Sequence, residues 1–100
     1  MEKQLTRKSI LLFAMQMESK LRVREEKGCW SSINISTLFT YLKGEVEELE
    51  EAVKRDPMLK TEIVDECADI ANYAMMIFDN IAQLTKERGT QWKKENQEKN

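Results

Sequence analysis

The chain has no histidine. That removes the Ser-His-Asp triad, a His-based zinc site and a His general base. Cysteine is scarce as well. Cys29 and Cys67 lack CxxC spacing, and Cys67 falls in a helical pattern, so two reduced thiols and a cytoplasmic location are expected. Proline occurs once and glycine three times. With so few turn and strand signals, the composition points to helix. No apolar run approaches the roughly 18 residues of a membrane span, so no membrane partner is expected. The opening MEKQLTRKSILLFAMQMESK has a basic flank but no small-residue cleavage site, and Gln16, Glu18 and Ser19 interrupt it. It reads as an amphipathic helix rather than a signal peptide.

What is present is charge and helical periodicity. One hundred residues make one domain, with 41% hydrophobic and 34% charged residues. A chain this short buries a modest core alone, so association with copies of itself is expected. The net charge of −2 is unevenly spread. Residues 1–27 hold seven Lys/Arg against four Glu, residues 28–87 five against twelve Asp/Glu, and residues 88–100 four against two. The acidic middle argues against a nucleic-acid groove there. A positive first helix beside it suits a cation with a phosphate ligand, and equally suits ordinary complementarity between packed helices.

Three helices are expected. The first runs roughly over 4–27, where Ile10, Phe13, Ala14, Met17 and Leu21 form a buried stripe, and stops at Gly28. A short loop holding Trp30 follows. The second runs roughly over 35–54, with Asn34 as N-cap. Asp56-Pro57 then supplies an N-cap and a first-turn proline for a third helix over about 57–87, ending near Gly89. The domain is thus 1–87, with 88–100 as a polar, loosely helical tail. The fold class is all-α, an antiparallel helical bundle.

Two acidic stretches do not behave as plain surface. Successive helical residues turn by about 100°. With Glu45 at zero, Leu38, Leu49, Ala52 and Tyr41 all lie within about 40° of it. Glu48 falls at the edge of that stripe, near −60°. Glu47, Glu50 and Glu51 point away and read as solvated. With Glu66 at zero, Leu59, Ile77, Ile70 and Tyr73 lie within about 40°, and Asp69 sits near −60°. Both helices therefore carry one carboxylate in mid-stripe and a second three residues on. An unpaired carboxylate on a buried face costs several kcal/mol or takes up a proton. A hard divalent cation (Mg²⁺, Mn²⁺ or Ca²⁺) relieves that cost. The alternative is a Lys or Arg of the first helix paired with each carboxylate. Di-iron bundles also carry inward glutamates, but they need Glu-x-x-His, which this chain lacks.

At these residues the sequence resembles the MazG-like, all-α nucleotide pyrophosphohydrolases, whose signature is EExxE, a spacer, then ExxD. LKGEVEELEEA resembles the first half, with Glu45 and Glu48 as its second and third glutamates, and Gly44 where the first usually stands. The literal match Glu47-Glu48-x-x-Glu51 puts Glu47 and Glu51 off the apolar face and is rejected. In DECADIANYAMMI, Glu66 and Asp69 match ExxD, and seventeen residues separate Glu48 from Glu66. Upstream, KLRVREEKGCW resembles the K-L-x-x-N-x-H-K-G-G-W run of a small phage and mobile-element branch, with Arg24, Glu26 and Cys29 as departures. The resemblance spans roughly residues 10–82.

The resemblance implies hydrolysis of a nucleoside triphosphate, deoxy or non-canonical, to the monophosphate and pyrophosphate, as a house-cleaning reaction. It implies Glu45, Glu48, Glu66 and Asp69 as the catalytic, Mg²⁺-holding set, with Mn²⁺ as a substitute. It also implies homodimers, or dimers of dimers, that complete four-helix cores. Asn72 matches an asparagine common in the family and is read either as substrate-binding or as a polar helix-interface residue. Lys20, Arg24 and Lys27 are candidates for the phosphates, and each singly also reads as charged surface. Trp30 either stacks on a base or caps the bundle. Tyr73 reads as core, and Met15, Met17, Met75 and Met76 as packing. Cys67, Ala71, Ala74, Met75 and Phe78 give the third helix a second apolar face, which implies a partner surface.

Overall fold

A computed structural model describes residues 6–23 and 29–97, with side chains as far as Gln83. Gly28, Lys27 and Arg24 lie outside the described residues. The described residues are all-helical: α1 (Lys8–Val23), a single 3-10 turn (Trp30–Ser32), α2 (Ile35–Lys54) and α3 (Lys60–Gln97). None of these helices is long and apolar enough to cross a membrane.

The entry into α2 is built locally. Asn34 sits in extended backbone, and its Oδ1 accepts from the Thr37 backbone N–H at 2.8 Å. That satisfies one of the free donors of the first helical turn, as expected of this N-cap. Ahead of it, the Ile33 N–H donates to the Trp30 carbonyl at 3.0 Å and closes the turn.

The exit from α2 differs from expectation. Pro57 does not open α3; the helix begins at Lys60. Residues 55–59 reverse the chain instead, through a cis Asp56–Pro57 peptide bond. The Leu59 N–H donates back to the Ala52 carbonyl at 3.3 Å, and the Leu59 carbonyl accepts from Ile63 at 2.8 Å. Leu59 thus joins the last turn of α2 to the first of α3, which leaves Pro57 in the bend.

The far end differs as well. α3 does not stop at Gly89; it runs on to Gln97. One glycine inside a helix costs only about 1 kcal/mol. The residues beyond it, Gln91, Lys93, Lys94, Glu95 and Gln97, are strong helix formers.

Three packing pairs set the register of α2 against α3: Leu38 meets Tyr73 and Met76, and the Tyr41 and Tyr73 rings lie 5.6 Å apart. The Leu59 bond to Ala52 closes the other end. The two helices are therefore antiparallel. α1 also runs antiparallel to α3, with Met17 opposite Asn72 and Lys20 opposite Asp69. The core is small. Leu38, at 0% exposure, packs with Tyr73 and Met76, and Leu21, Trp30, Ile33 and Leu42 close around them.

The stripe expected to be buried on α1 is buried only at its C-terminal end. Met17 and Leu21 are half-buried, but Ile10 and Ala14 are exposed and Phe13 is 41% exposed. Met15, expected to pack, is 67% exposed. The reason is geometric. Among the described helices α1 packs along α3, and no further helix covers the rest of its stripe. α3, at 38 residues, is about 57 Å long, whereas α1, at 16, spans about 24 Å. The radius of gyration, 17.8 Å, exceeds the roughly 13 Å of a compact 100-residue chain accordingly.

Candidate metal site between α2 and α3

Helical phase put Glu45 and Glu66 on facing stripes, and the antiparallel packing of α2 and α3 brings them together. One carboxylate oxygen from each of Glu45, Glu48 and Glu66 lies within 4.8 Å of the other two. Glu45 and Glu66 are half-buried, and Glu48 is exposed at the rim. Exposed acidic groups often gather without a ligand. This group is distinguished by two atoms withdrawn from water: Glu45 Oε1 and Glu66 Oε1 are buried and have no hydrogen-bond partner. Among the described residues, no Lys or Arg forms an ion pair with any of the three.

The electrostatic result falls on Glu66. Its carboxyl is pushed up from 4.5 to about 8, first by loss of water, then by the carboxylates of Glu45 and Glu48 beside it. Near neutral pH the group therefore relieves its own repulsion by holding a proton at Glu66. A cation relieves the same repulsion in another way. Mg²⁺ at about 2.1 Å from its ligands sets opposite oxygens about 4.2 Å apart, and Ca²⁺ sets them about 5 Å apart. Oxygens within 4.8 Å of one another meet such an ion after shifts of under about 1 Å. The donor set is all oxygen, which suits a hard cation.

Asp69 stands apart from that group. Its Oδ2 lies 3.5 Å from Lys20 Nζ, with the two side chains 14% and 31% exposed. So of the four carboxylates read from the sequence, three converge and the fourth is paired with a lysine of α1. Asn72 is buried, at 4% exposure, and its Nδ2 donates to the Met17 carbonyl of α1 at 3.0 Å. It ties α1 to α3, and its Oδ1 is buried without a partner. Trp30 is tied into the scaffold: its Nε1 donates to Asp79 Oδ2 at 3.0 Å, and its ring packs on the core cluster. Lys27 lies outside the described residues. Glu47, Glu50 and Glu51 are exposed, as their helical phase predicts.

Two residues that matter here were not singled out from sequence. Asp79 anchors the Trp30 indole, and Asn80 Nδ2 donates to the Trp30 and Ile33 carbonyls, each at 3.2 Å. The signal was present: Asp79-Asn80 is a polar pair inside the apolar run AMMIFDNIA. Half-buried polar side chains within such a run need partners, and here the Trp30 indole serves Asp79 and the loop carbonyls serve Asn80.

Gly44 lies in mid-α2, one residue before Glu45. A Cβ built there meets nothing within 4 Å, so no crowding enforces the glycine. The chain matches no protein-family model, no curated protein and no solved structure.

Proposed function

We propose that the chain is a Mg²⁺-dependent nucleoside triphosphate pyrophosphohydrolase of the MazG-like kind. It would release pyrophosphate and the monophosphate from deoxy- or non-canonical nucleotides in a house-cleaning role, with Mn²⁺ able to replace Mg²⁺. One observation carries this reading. Three carboxylates converge from two helices, without a cationic partner among the described residues, and two of their oxygens are withdrawn from water. Such an arrangement is costly unless a proton or a cation is bound, and the cation is the occupant that gives it a function.

Glu45, Glu48 and Glu66 would hold the cation, and Asp69, one turn beyond Glu66 on α3 and paired with Lys20, is the fourth carboxylate of the proposed set. The chemistry a bound divalent cation supplies is neutralisation of phosphate charge and a lowered pKa for water. Glu45 and Glu66 fix the site, because each emerges from a packed helix stripe. Glu48 is exposed at the rim, and a carboxylate beside the attacking water would accept its proton. Asn72 holds α1 against α3, and Lys20, paired with Asp69, would supply positive charge for the phosphates.

The functional unit is a homodimer or a dimer of dimers. Exposed apolar side chains support this: Ile10, Leu11, Leu12, Phe13 and Met15 on α1, and Phe78, at 69%, on the second apolar face of α3. A non-enzymatic helical interaction module is the second reading. The Lys20–Asp69 pair favours it, because a lysine then does for one carboxylate what a cation would otherwise do.

The deciding experiment is pyrophosphate release from a panel of canonical and modified nucleoside triphosphates, with and without Mg²⁺. Mg²⁺-dependent release with the monophosphate as co-product supports the enzyme. A folded, Mg²⁺-loaded protein that turns over no member of the panel leaves the interaction module.

A further inference from the structure

The Lys20–Asp69 pair has a position that an ordinary surface ion pair lacks. Asp69 lies one helical turn beyond Glu66, on the side of α3 that Glu66 shares, and its side chain is 14% exposed. It belongs to the carboxylate pair that the sequence places on this face of α3, yet its oxygens stand outside the three-glutamate group. The lysine that draws it away is set in place by the scaffold. Asn72 Nδ2 grips the Met17 carbonyl at 3.0 Å, and one turn along each antiparallel helix Lys20 Nζ meets Asp69 Oδ2 at 3.5 Å. Asn72 and Asp69 are three residues apart on α3, and Met17 and Lys20 three apart on α1. The two contacts are therefore rungs of one ladder, and the α1–α3 register delivers the ammonium to Asp69.

We propose that Lys20 is a positioning residue that competes with the cation for Asp69. It holds the carboxylate out of the metal site in the ligand-free protein. It passes its ammonium to the substrate phosphates when Asp69 turns to the cation. This rests on the reading of Glu45, Glu48 and Glu66 as a cation site. The physical logic is an exchange of partners. Lys20 is a flexible point charge on a four-carbon stem, and at 31% exposure its side chain reaches solvent, where the ammonium can change partners. A carboxylate satisfied by an ammonium at 3.5 Å is a weaker ligand than a free one, because cation binding must first break the pair. An incoming triphosphate brings negative charge that takes over the ammonium, so cation and triphosphate should each favour binding of the other.

The test is Mn²⁺ titration of the nucleotide-free protein, read by calorimetry or by the paramagnetic signal of free Mn²⁺. It uses the wild type, Lys20→Met, Lys20→Arg, Asp69→Asn and the Lys20→Met/Asp69→Asn double variant. Folding of each is checked by circular dichroism. Met keeps the length of the stem and removes the charge. Lys20→Met should bind Mn²⁺ about two- to fivefold more tightly than wild type, the size of one partly exposed ion pair. Lys20→Arg should stay near wild type. The gain should vanish in the Asp69→Asn background, because the competition needs both groups. A non-hydrolysable nucleoside triphosphate should raise Mn²⁺ affinity in wild type more than in Lys20→Met. Unchanged or weaker Mn²⁺ binding by Lys20→Met, or a gain that persists with Asp69→Asn, overturns the proposal and leaves the cation site standing. Absence of Mn²⁺ binding in wild type and in Lys20→Met removes the cation site itself, and the proposal with it.

Discussion

Replacing Glu66 with glutamine should make the metal-free protein more stable at alkaline pH while abolishing cation binding. The folded protein raises the Glu66 carboxyl from 4.5 to about 8, so between those values the folded state keeps a proton that the unfolded chain has lost. Stability linked to this group is fully present below pH 4.5, falls as pH rises through 8, and stays low above it. Glutamine has no such titration. The full shift is an upper bound, because Glu48 and one side of the group are open to water and screening. Discounted for that, the variant should gain about 1–2 kcal/mol over wild type at pH 9 in EDTA and nothing at pH 4. In a chain of 100 residues, each kcal/mol moves the melting temperature by about 4–8 °C. Urea or thermal unfolding at a series of pH values, in EDTA and in millimolar Mg²⁺, measures this. Mg²⁺ should restore wild-type stability at alkaline pH and leave Glu66→Gln unchanged, because the ion binds the folded wild type in place of the proton. Parallel pH profiles for the two proteins, or a variant less stable at every pH, would mean that Glu66 is already satisfied by another group.

Three further outcomes follow from particular contacts. Gly44→Ala should stabilise the protein by about 0.5–1 kcal/mol in urea unfolding, because a mid-helix glycine gains helix propensity and the new Cβ meets open space. Asn34→Ala should cost about 1 kcal/mol in the same assay through loss of the 2.8 Å cap to Thr37, and Asn34→Ser should recover most of it. Leu38→Ala should cost about 2–5 kcal/mol, since Leu38 is fully buried against Tyr73 and Met76 at the centre of a small core; a loss below 1 kcal/mol would show that this cluster is not the core.

The candidate site was legible to the extent that it depends on phase within a helix. Placing Glu45 and Glu66 in mid-stripe needs only a turn of about 100° per residue and the apolar positions around them. The structure places both half-buried, each with an orphaned oxygen. Glu48 was read at the stripe edge and stands there, exposed yet within reach of the others. Asp69 has the same phase relation to Glu66 that Glu48 has to Glu45, and it behaves differently. Phase along α3 carries no information about α1, and it is α1 that presents Lys20 at that turn. The stripe of α1 illustrates the same limit. Periodicity tells which face of a helix is apolar, and Phe13 lies on that face; it does not tell whether this chain has anything to cover it.

The sequence by itself determined the helical class, the Asn34 cap and the inward phase of two glutamates, because these are set by contacts within about one turn of chain. It determined the solvated face of Glu47, Glu50 and Glu51 for the same reason. The tertiary structure alone decided which carboxylates meet, which one takes a lysine, and where the chain turns around Pro57. It also decided that α3 outruns its neighbours. Those outcomes depend on distances between residues tens of positions apart. Such distances are fixed only when antiparallel packing chooses a register, here the one that sets Leu38 on Tyr73 and Met76, and Asn72 on Met17.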